Sequence, residues 1–197
     1  MRLLNCTTAL FILALGLTAA AQEPAVPAGP QPGDKAPAFN AVDQDGSPWQ
    51  FGAQVGKKKY TVLYFYPAAM TGGCTKQACS FRDRAASGAD IDMEVVGISG
   101  DVPASLKIFQ QANNLNFTLL SDPDGAVAKL YGVPVKQEPR SITRQVDGKE
   151  VKLERSVTAA RWTFILDREG KIIYRDTAVK AADDLNAVIA FIRKIEG

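Results

Sequence analysis

The amino-acid sequence predicts an α/β fold, a central mixed sheet flanked by helices, and two patterns predict it. Two continuous apolar runs rich in β-branched and aromatic residues are each followed, after a short break, by a helix-forming segment. Further along, two more apolar runs are separated by a tight polar turn and followed by an apolar pattern of helical period. Strands that are apolar along their whole length must be covered on both faces, and the intervening helices can supply that cover.

The first run, Tyr60-Thr61-Val62-Leu63-Tyr64-Phe65-Tyr66, reads as a buried central strand, and Pro67 stops it. After a loop to Gly73, residues 74–86 have helix-forming composition. Residues 93–98 form the second buried strand, and Pro103 opens a second helix running to Ala112. A short helix is expected over 125–131. Trp162-Thr163-Phe164-Ile165-Leu166 and Lys171-Ile172-Ile173-Tyr174 flank Asp167-Arg168-Glu169-Gly170, which is a hairpin pattern. The chain closes on a helix over 181–195, where Leu185, Val188, Ile189 and Ile192 recur on one face. Strand, helix, strand, helix, then hairpin and last helix is a thioredoxin-like arrangement, with its site at the C-terminal end of a strand. Residues 135–157 fit it less well. Their scattered polar residues and the Asp147-Gly148 turn read as a long surface hairpin or loop.

The N-terminus reads as an export signal spanning residues 1–21. Arg2 precedes the apolar stretch Ala9–Leu17, too short to span a bilayer, and Thr18-Ala19-Ala20-Ala21 supplies small residues for cleavage. An uncleaved anchor is the alternative. Cys6 lies inside this segment, so the mature chain would keep only Cys74 and Cys79, in a compartment where disulfides persist. A Pro/Ala-rich linker over residues 22–32 then leads into one domain over 33–197.

Composition narrows the chemistry. The chain has no histidine, which excludes Ser-His-Asp and Cys-His catalysis in their usual forms and most zinc and copper sites. Catalysis must therefore use cysteine, arginine, hydroxyls, carboxylates or backbone groups, and neither a cofactor nor a metal is expected. A net charge of +2 is too balanced to call for a nucleic-acid partner or a stable membrane contact once the signal is cleaved.

The segment Phe65-Tyr66-Pro67-Ala68-Ala69-Met70-Thr71-Gly72-Gly73-Cys74 places a cysteine in the first turn of a helix directly after a central strand. Open N–H groups and partial positive charge at a helix N-terminus favour thiolate over thiol. The two glycines ahead of Cys74 are expected to let backbone approach a ligand closely.

The run P-x-x-x-T-x-x-C, met by Pro67, Thr71 and Cys74, resembles the active-site motif of the peroxiredoxins. Arg161, ahead of Trp162-Thr163-Phe164-Ile165, matches that family's catalytic arginine. The spacing from Cys74 to Cys79, followed by Ser80-Phe81-Arg82-Asp83, is similar to the bacterioferritin comigratory protein (PrxQ) subfamily. Gly33-Asp34-Lys35-Ala36-Pro37-Ala38-Phe39, Val96-Gly97-Ile98-Ser99 and Leu120-Ser121-Asp122-Pro123 also fit, so the resemblance runs over residues 33–197. It implies a thiol peroxidase that reduces hydrogen peroxide and organic hydroperoxides, with a thioredoxin-like or other thiol electron donor, acting as a monomer. Cys74 would be the nucleophile oxidised to sulfenic acid, and Cys79 would resolve it to an intramolecular disulfide. Arg161 would stabilise the thiolate and the charge developing on peroxide oxygen. Thr71 would hydrogen-bond thiolate and peroxide, and Pro67 would close one wall. Two positions depart from the subfamily: Gly72 replaces proline, and Gln77 replaces a glutamate that would hold the arginine by charge.

Residues five apart in a regular α-helix have Cα atoms about 8.6 Å apart, beyond the roughly 4.4–6.8 Å of a disulfide. Either this helix unwinds in each cycle or Cys79 is a bystander. Two other functions are consistent with the fold. A protein thiol-disulfide oxidoreductase would more typically use C-x-x-C and would leave Thr71 and Arg161 without a role. In a non-catalytic binding module the cysteine pair would be structural or hold copper, and without histidine the chain is poorly equipped for copper.

Overall fold

The structure, a computed structural model, describes residues 29–84 and 91–197. The expected export signal, most of the expected linker and the end of the helix expected over 74–86 lie outside the described residues.

In chain order the elements are β1 (Asn40–Asp43), β2 (Pro48–Gln50), α1 (Phe51–Gln54), β3 (Tyr60–Phe65), α2 (Gly72–Arg82), β4 (Met93–Ser99), α3 (Pro103–Ala112) and β5 (Thr118–Ser121). They continue as α4 (Ala126–Leu130), β6 (Val135–Val146), β7 (Lys149–Ala159), β8 (Trp162–Leu166), β9 (Ile172–Asp176) and α5 (Asp184–Glu196). Seven strands form one sheet in the order β2-β1-β5-β4-β3-β8-β9. Its centre, β5-β4-β3, is parallel, whereas β1 pairs antiparallel with β5, and β8 pairs antiparallel with both β3 and β9. The sheet is mixed and flanked by helices, as the sequence pattern predicts.

Burial follows from β3. All six of its residues are buried, so side chains that alternate across the pleat must feed two cores. Val62, Tyr64 and Tyr66 enter a cluster with Cys74 and Phe81 of α2, Leu106 and Phe109 of α3, and Val188 and Ile192 of α5. Leu63 and Phe65 enter the opposite cluster with Phe39, Trp49, Tyr131 and Phe164. The site lies on the first side, where α2 leaves the C-terminal end of β3.

Four short elements escape the sequence reading. The β1–β2 hairpin and the α1 turn are three or four residues each, too short to show a period. β5 is four residues, an edge-length apolar run with no turn pattern of its own. The reading also starts α2 two residues late, because Gly72 and Gly73 are poor helix formers that the first turn tolerates.

Residues 135–157 belong to a long hairpin, β6–β7, in a separate two-stranded sheet. Its two-residue turn has positive φ at both Asp147 (49°) and Gly148 (75°), the combination that matches the twist of paired strands. The hairpin is only partly a surface element. Leu153, Val157 and Ala159 are buried, Val102 N–H donates to Glu154 C=O at 3.1 Å, and Ser156 N–H donates to Gly100 C=O at 3.1 Å. Gly100 is required for this approach, since a Cβ there would lie 2.2 Å from the Val157 carbonyl oxygen. Among the described residues, no helix is long and apolar enough to cross a membrane.

Candidate active site

The register of β3 against β8 pairs Phe65 with Trp162, so Arg161 enters the sheet beside the end of β3 where α2 begins. Side chains two apart on a strand share a face, and Arg161, Thr163 and Ile165 are all directed to the α2 and α5 side. On α2 the buried residues are Cys74, Gln77, Ala78 and Phe81, an i, i+3, i+4, i+7 stripe. Strand and helix therefore bring Arg161 and Cys74 together from positions 87 residues apart: Arg161 Nη2 donates to Cys74 Sγ at 3.2 Å.

The sulfur is almost sealed, with Cys74 only 2 % exposed. Thr71 is the N-cap of α2, but its side chain makes no capping hydrogen bond, so the first-turn amides keep donors open. Its hydroxyl instead donates to Ala68 C=O at 3.0 Å. That proton is committed, and the oxygen can serve a peroxide O–H as an acceptor but does not donate to Cys74. Pro67 is half-buried at the start of the same loop. The loop is anchored from below, where Ala69 N–H and the Ser99 hydroxyl both donate to Asp101 Oδ2 at 2.8 Å. Met70, in the same loop, holds φ at +58°, a left-handed conformation costing roughly 1–3 kcal/mol for a side chain of this kind. Packing within the protein does not require a glycine at either 72 or 73. A Cβ at Gly72 would meet nothing within 4 Å, and one at Gly73 would meet Arg161 Nη2 at an ordinary 3.7 Å.

Behind the arginine stands an ordered chain. Arg161 Nη1 donates to Gln77 Oε1, Gln77 Nε2 donates to Asp184 Oδ2 at 2.6 Å, and the Thr163 hydroxyl donates to the same oxygen at 2.8 Å. Asp184, the first residue of α5, is buried, and its Oδ1 has no hydrogen-bond partner among the described residues. Burial raises its carboxyl above the usual aspartate range, against the hydrogen bonds from Gln77 and Thr163. Tyr64 belongs to the same buried cluster as Cys74. Burial, and then the proximity of Cys74, push its phenol well above the ordinary range, so it stays neutral and offers no base.

Cys79 is placed apart from Cys74. Both are free thiols on the one regular helix, and Cys79 is half-buried on another face, 3.9 Å from Asn113 Oδ1 at the end of α3. Sequence reasoning missed Asp101, Thr163 and Asp184. Thr163 and Asp184 lie far from the motif in sequence, and no local pattern separates them from an ordinary strand threonine and a helix-start aspartate. Asp101 follows Ser99 at the end of a buried strand, and its position there was the available cue. Among the described residues, no group of cysteine and carboxylate side chains is arranged to hold a metal ion.

A family model described as AhpC/TSA family matches residues 32–175. A Mycobacterium tuberculosis (strain H37Rv) protein carrying a peroxiredoxin name is 42% identical over 150 residues, which is 76% of this chain and 87% of that one. The solved structure of peroxidoxin BcpB from Mycobacterium tuberculosis superposes with a TM-score of 0.67 at 32% identity, covering 84% of this chain and 98% of that one. The bacterioferritin comigratory protein of Xanthomonas campestris, described for its alkyl peroxide reduction activity, shares the fold with a TM-score of 0.63. It is 24% identical over 81% of this chain and 92% of its own.

The Asp184 carboxyl generates a prediction about pH. Its folded-state value is raised, with Asp176 adding to burial and Arg161 opposing it. The native state then binds the proton more tightly than the unfolded chain, so the contribution of Asp184 to stability falls as pH rises above the ordinary aspartate value. Asp184→Asn abolishes that slope. Thermal melts from about pH 4 to 7 should show the variant gaining on wild type as pH rises, and a constant gap would mean that folding does not raise the Asp184 carboxyl above its unfolded value.

Proposed function

The chain belongs to the AhpC/TSA family and is a peroxiredoxin, and on that footing we propose that it reduces hydrogen peroxide and organic hydroperoxides with Cys74 as the nucleophile. The observation that carries the proposal is the 3.2 Å contact from Arg161 Nη2 to a sulfur in the first turn of α2. A permanently charged fork beside that sulfur favours the thiolate, and its second nitrogen is held away on Gln77. The thiolate attacks the terminal peroxide oxygen. The S–O bond forms as the O–O bond breaks, Cys74 becomes a sulfenic acid, and the departing alkoxide or hydroxide takes a proton from solvent. Arg161 is placed to receive the negative charge that develops on oxygen, where preorganised donors contribute most.

Cys79 then resolves the sulfenic acid. Its thiolate attacks Cys74 Sγ, the S–S bond forms as the S–O bond breaks, and the departing hydroxide takes a proton from solvent to leave as water. An intact α2 holds the two Cα atoms about 8.6 Å apart, so Thr75-Lys76-Gln77-Ala78 must leave helical geometry for this step. The helix start is where opening requires least free energy, and Gly72 and Gly73 add backbone freedom. A dithiol donor of the thioredoxin type returns both cysteines to thiols and leaves as the disulfide. Export by residues 1–21 belongs to the same proposal, resting on the short apolar run and the alanines behind it.

Cys74→Ser should abolish peroxide consumption. Cys79→Ser should complete one turnover and stop, with mass spectrometry finding a sulfenic acid at Cys74. Sustained turnover of Cys79→Ser with a thioredoxin-type donor would show that Cys79 does not resolve. For export, N-terminal sequencing of protein from the native cell should begin near Gln22, and an intact Met1 on soluble cytoplasmic protein would remove that part.

A further inference from the structure

We propose that Asp184 is a positioning residue of the Cys74 site, holding Arg161 on the sulfur through the side chain of Gln77. The inference rests on the peroxidase reading above, and it extends that reading to a residue on another helix, 110 positions beyond Cys74.

A glutamine between an arginine and an unknown neighbour can sit either way round, since its oxygen and nitrogen are alike in shape. Here the chemistry of the two ends decides. A guanidinium has donors only, and an ionised carboxylate has acceptors only. Gln77 must therefore turn Oε1 to Arg161 and Nε2 to Asp184, which is the arrangement present. The reverse orientation would set donor against donor at the arginine. The amide dipole then points its negative end at Arg161, and the Asp184 charge reinforces it from behind. An Asp184–Gln77 pair thus supplies, through one amide, the anchoring that a carboxylate at 77 would supply by direct ion pairing.

Several facts indicate more than a helix-start aspartate. Its Oδ2 accepts two side-chain hydrogen bonds, from Gln77 on α2 and Thr163 on β8, so one oxygen ties together the helix and the strand that carry Cys74 and Arg161. Gln77 is completely buried, and neither of its ends can turn to water. Asp184 is 2 % exposed with Oδ1 unpartnered, an expensive placement for a carboxylate whose only task is to start a helix. The other charged or titratable groups around it are Arg161, Asp176 and, more remotely, Tyr64 and Tyr174. Of these only Arg161 is cationic, so the Asp184 charge is balanced through the Gln77 amide.

The test compares Asp184→Leu, Asp184→Asn, and each of them combined with Gln77→Glu. A carboxylate at position 77 would pair with Arg161 directly and make residue 184 dispensable. Single-turnover oxidation of Cys74 by hydrogen peroxide should slow roughly tenfold in Asp184→Leu and about threefold in Asp184→Asn, in line with coupling inside one network. Adding Gln77→Glu should return both to within about twofold of wild type. Alkylation of Cys74 by iodoacetamide at fixed pH should follow the same order. That second readout needs no peroxide, so it separates this inference from the peroxidase reading: failure of wild type to react with peroxide overturns the latter alone. Circular dichroism and thermal melts identify any variant that is not folded, and Asp184→Asn, nearly isosteric, serves if Asp184→Leu does not fold. Wild-type alkylation and oxidation rates in both single variants would overturn the inference. So would losses that Gln77→Glu does not recover, because Asp184 would then act only on the fold.

Discussion

The contact between the Arg161 guanidinium and the Cys74 sulfur organises the rest of the structure. It joins a strand end to a helix start, and neither partner could hold it alone. The sulfur is sealed to 2 % exposure in an apolar cluster. It meets the positive end of α2 and one hydrogen bond donated by a guanidinium. That bond requires β8 to lie next to β3, antiparallel and in the register that sets Trp162 opposite Phe65. It also requires α2 to begin within a few residues of the end of β3. The sheet order is thus a precondition of the chemistry.

The support around this contact is polar and buried, and part of it is left unsatisfied. Asp101 anchors the loop that carries Thr71, and Asp184 anchors the amide that steers Arg161. Asp101 and Asp184 are raised in pKa chiefly by burial, and the Tyr64 and Tyr66 hydroxyls in the same core lack hydrogen-bond partners among the described residues. Met70 adds a left-handed backbone in the loop between them. Such features lower stability, and they cluster within the elements that surround Cys74. α2, which would have to open for Cys79 to reach Cys74, is held at its far side by Asn113, whose carbonyl accepts from Arg82 at 2.6 Å. Its glycine-rich first turn has no side-chain cap. The helix is thus tied more firmly at one end than at the other.

The sequence made the large elements legible because burial on both faces leaves a plain mark. The apolar run at 60–66 and the period of Leu185, Val188, Ile189 and Ile192 have one physical meaning each. β1, β2 and β5 were not legible, since three or four residues cannot display a period and their pairing is set by neighbours distant in sequence. Cys74, Thr71 and Pro67 were visible as a motif, and Arg161 through the strand that follows it. The substitution at Gln77 was visible as a departure, but not its solution. The compensating carboxylate sits at the start of α5, and only the packing of α5 on α2 brings it within 2.6 Å. A second-layer residue of that kind carries no local signature, because its role is defined by what touches it.

The central claim is that the arginine fork acts on the reacting sulfur. The most direct measurement is the second-order rate of Cys74 oxidation by hydrogen peroxide in wild type and Arg161→Lys, both confirmed folded. Lysine keeps the charge but cannot donate to Gln77 and to sulfur in one plane. A fall of roughly a hundredfold is expected in the variant, the scale of losing a preorganised donor at a developing charge. Equal rates in the two proteins would contradict it.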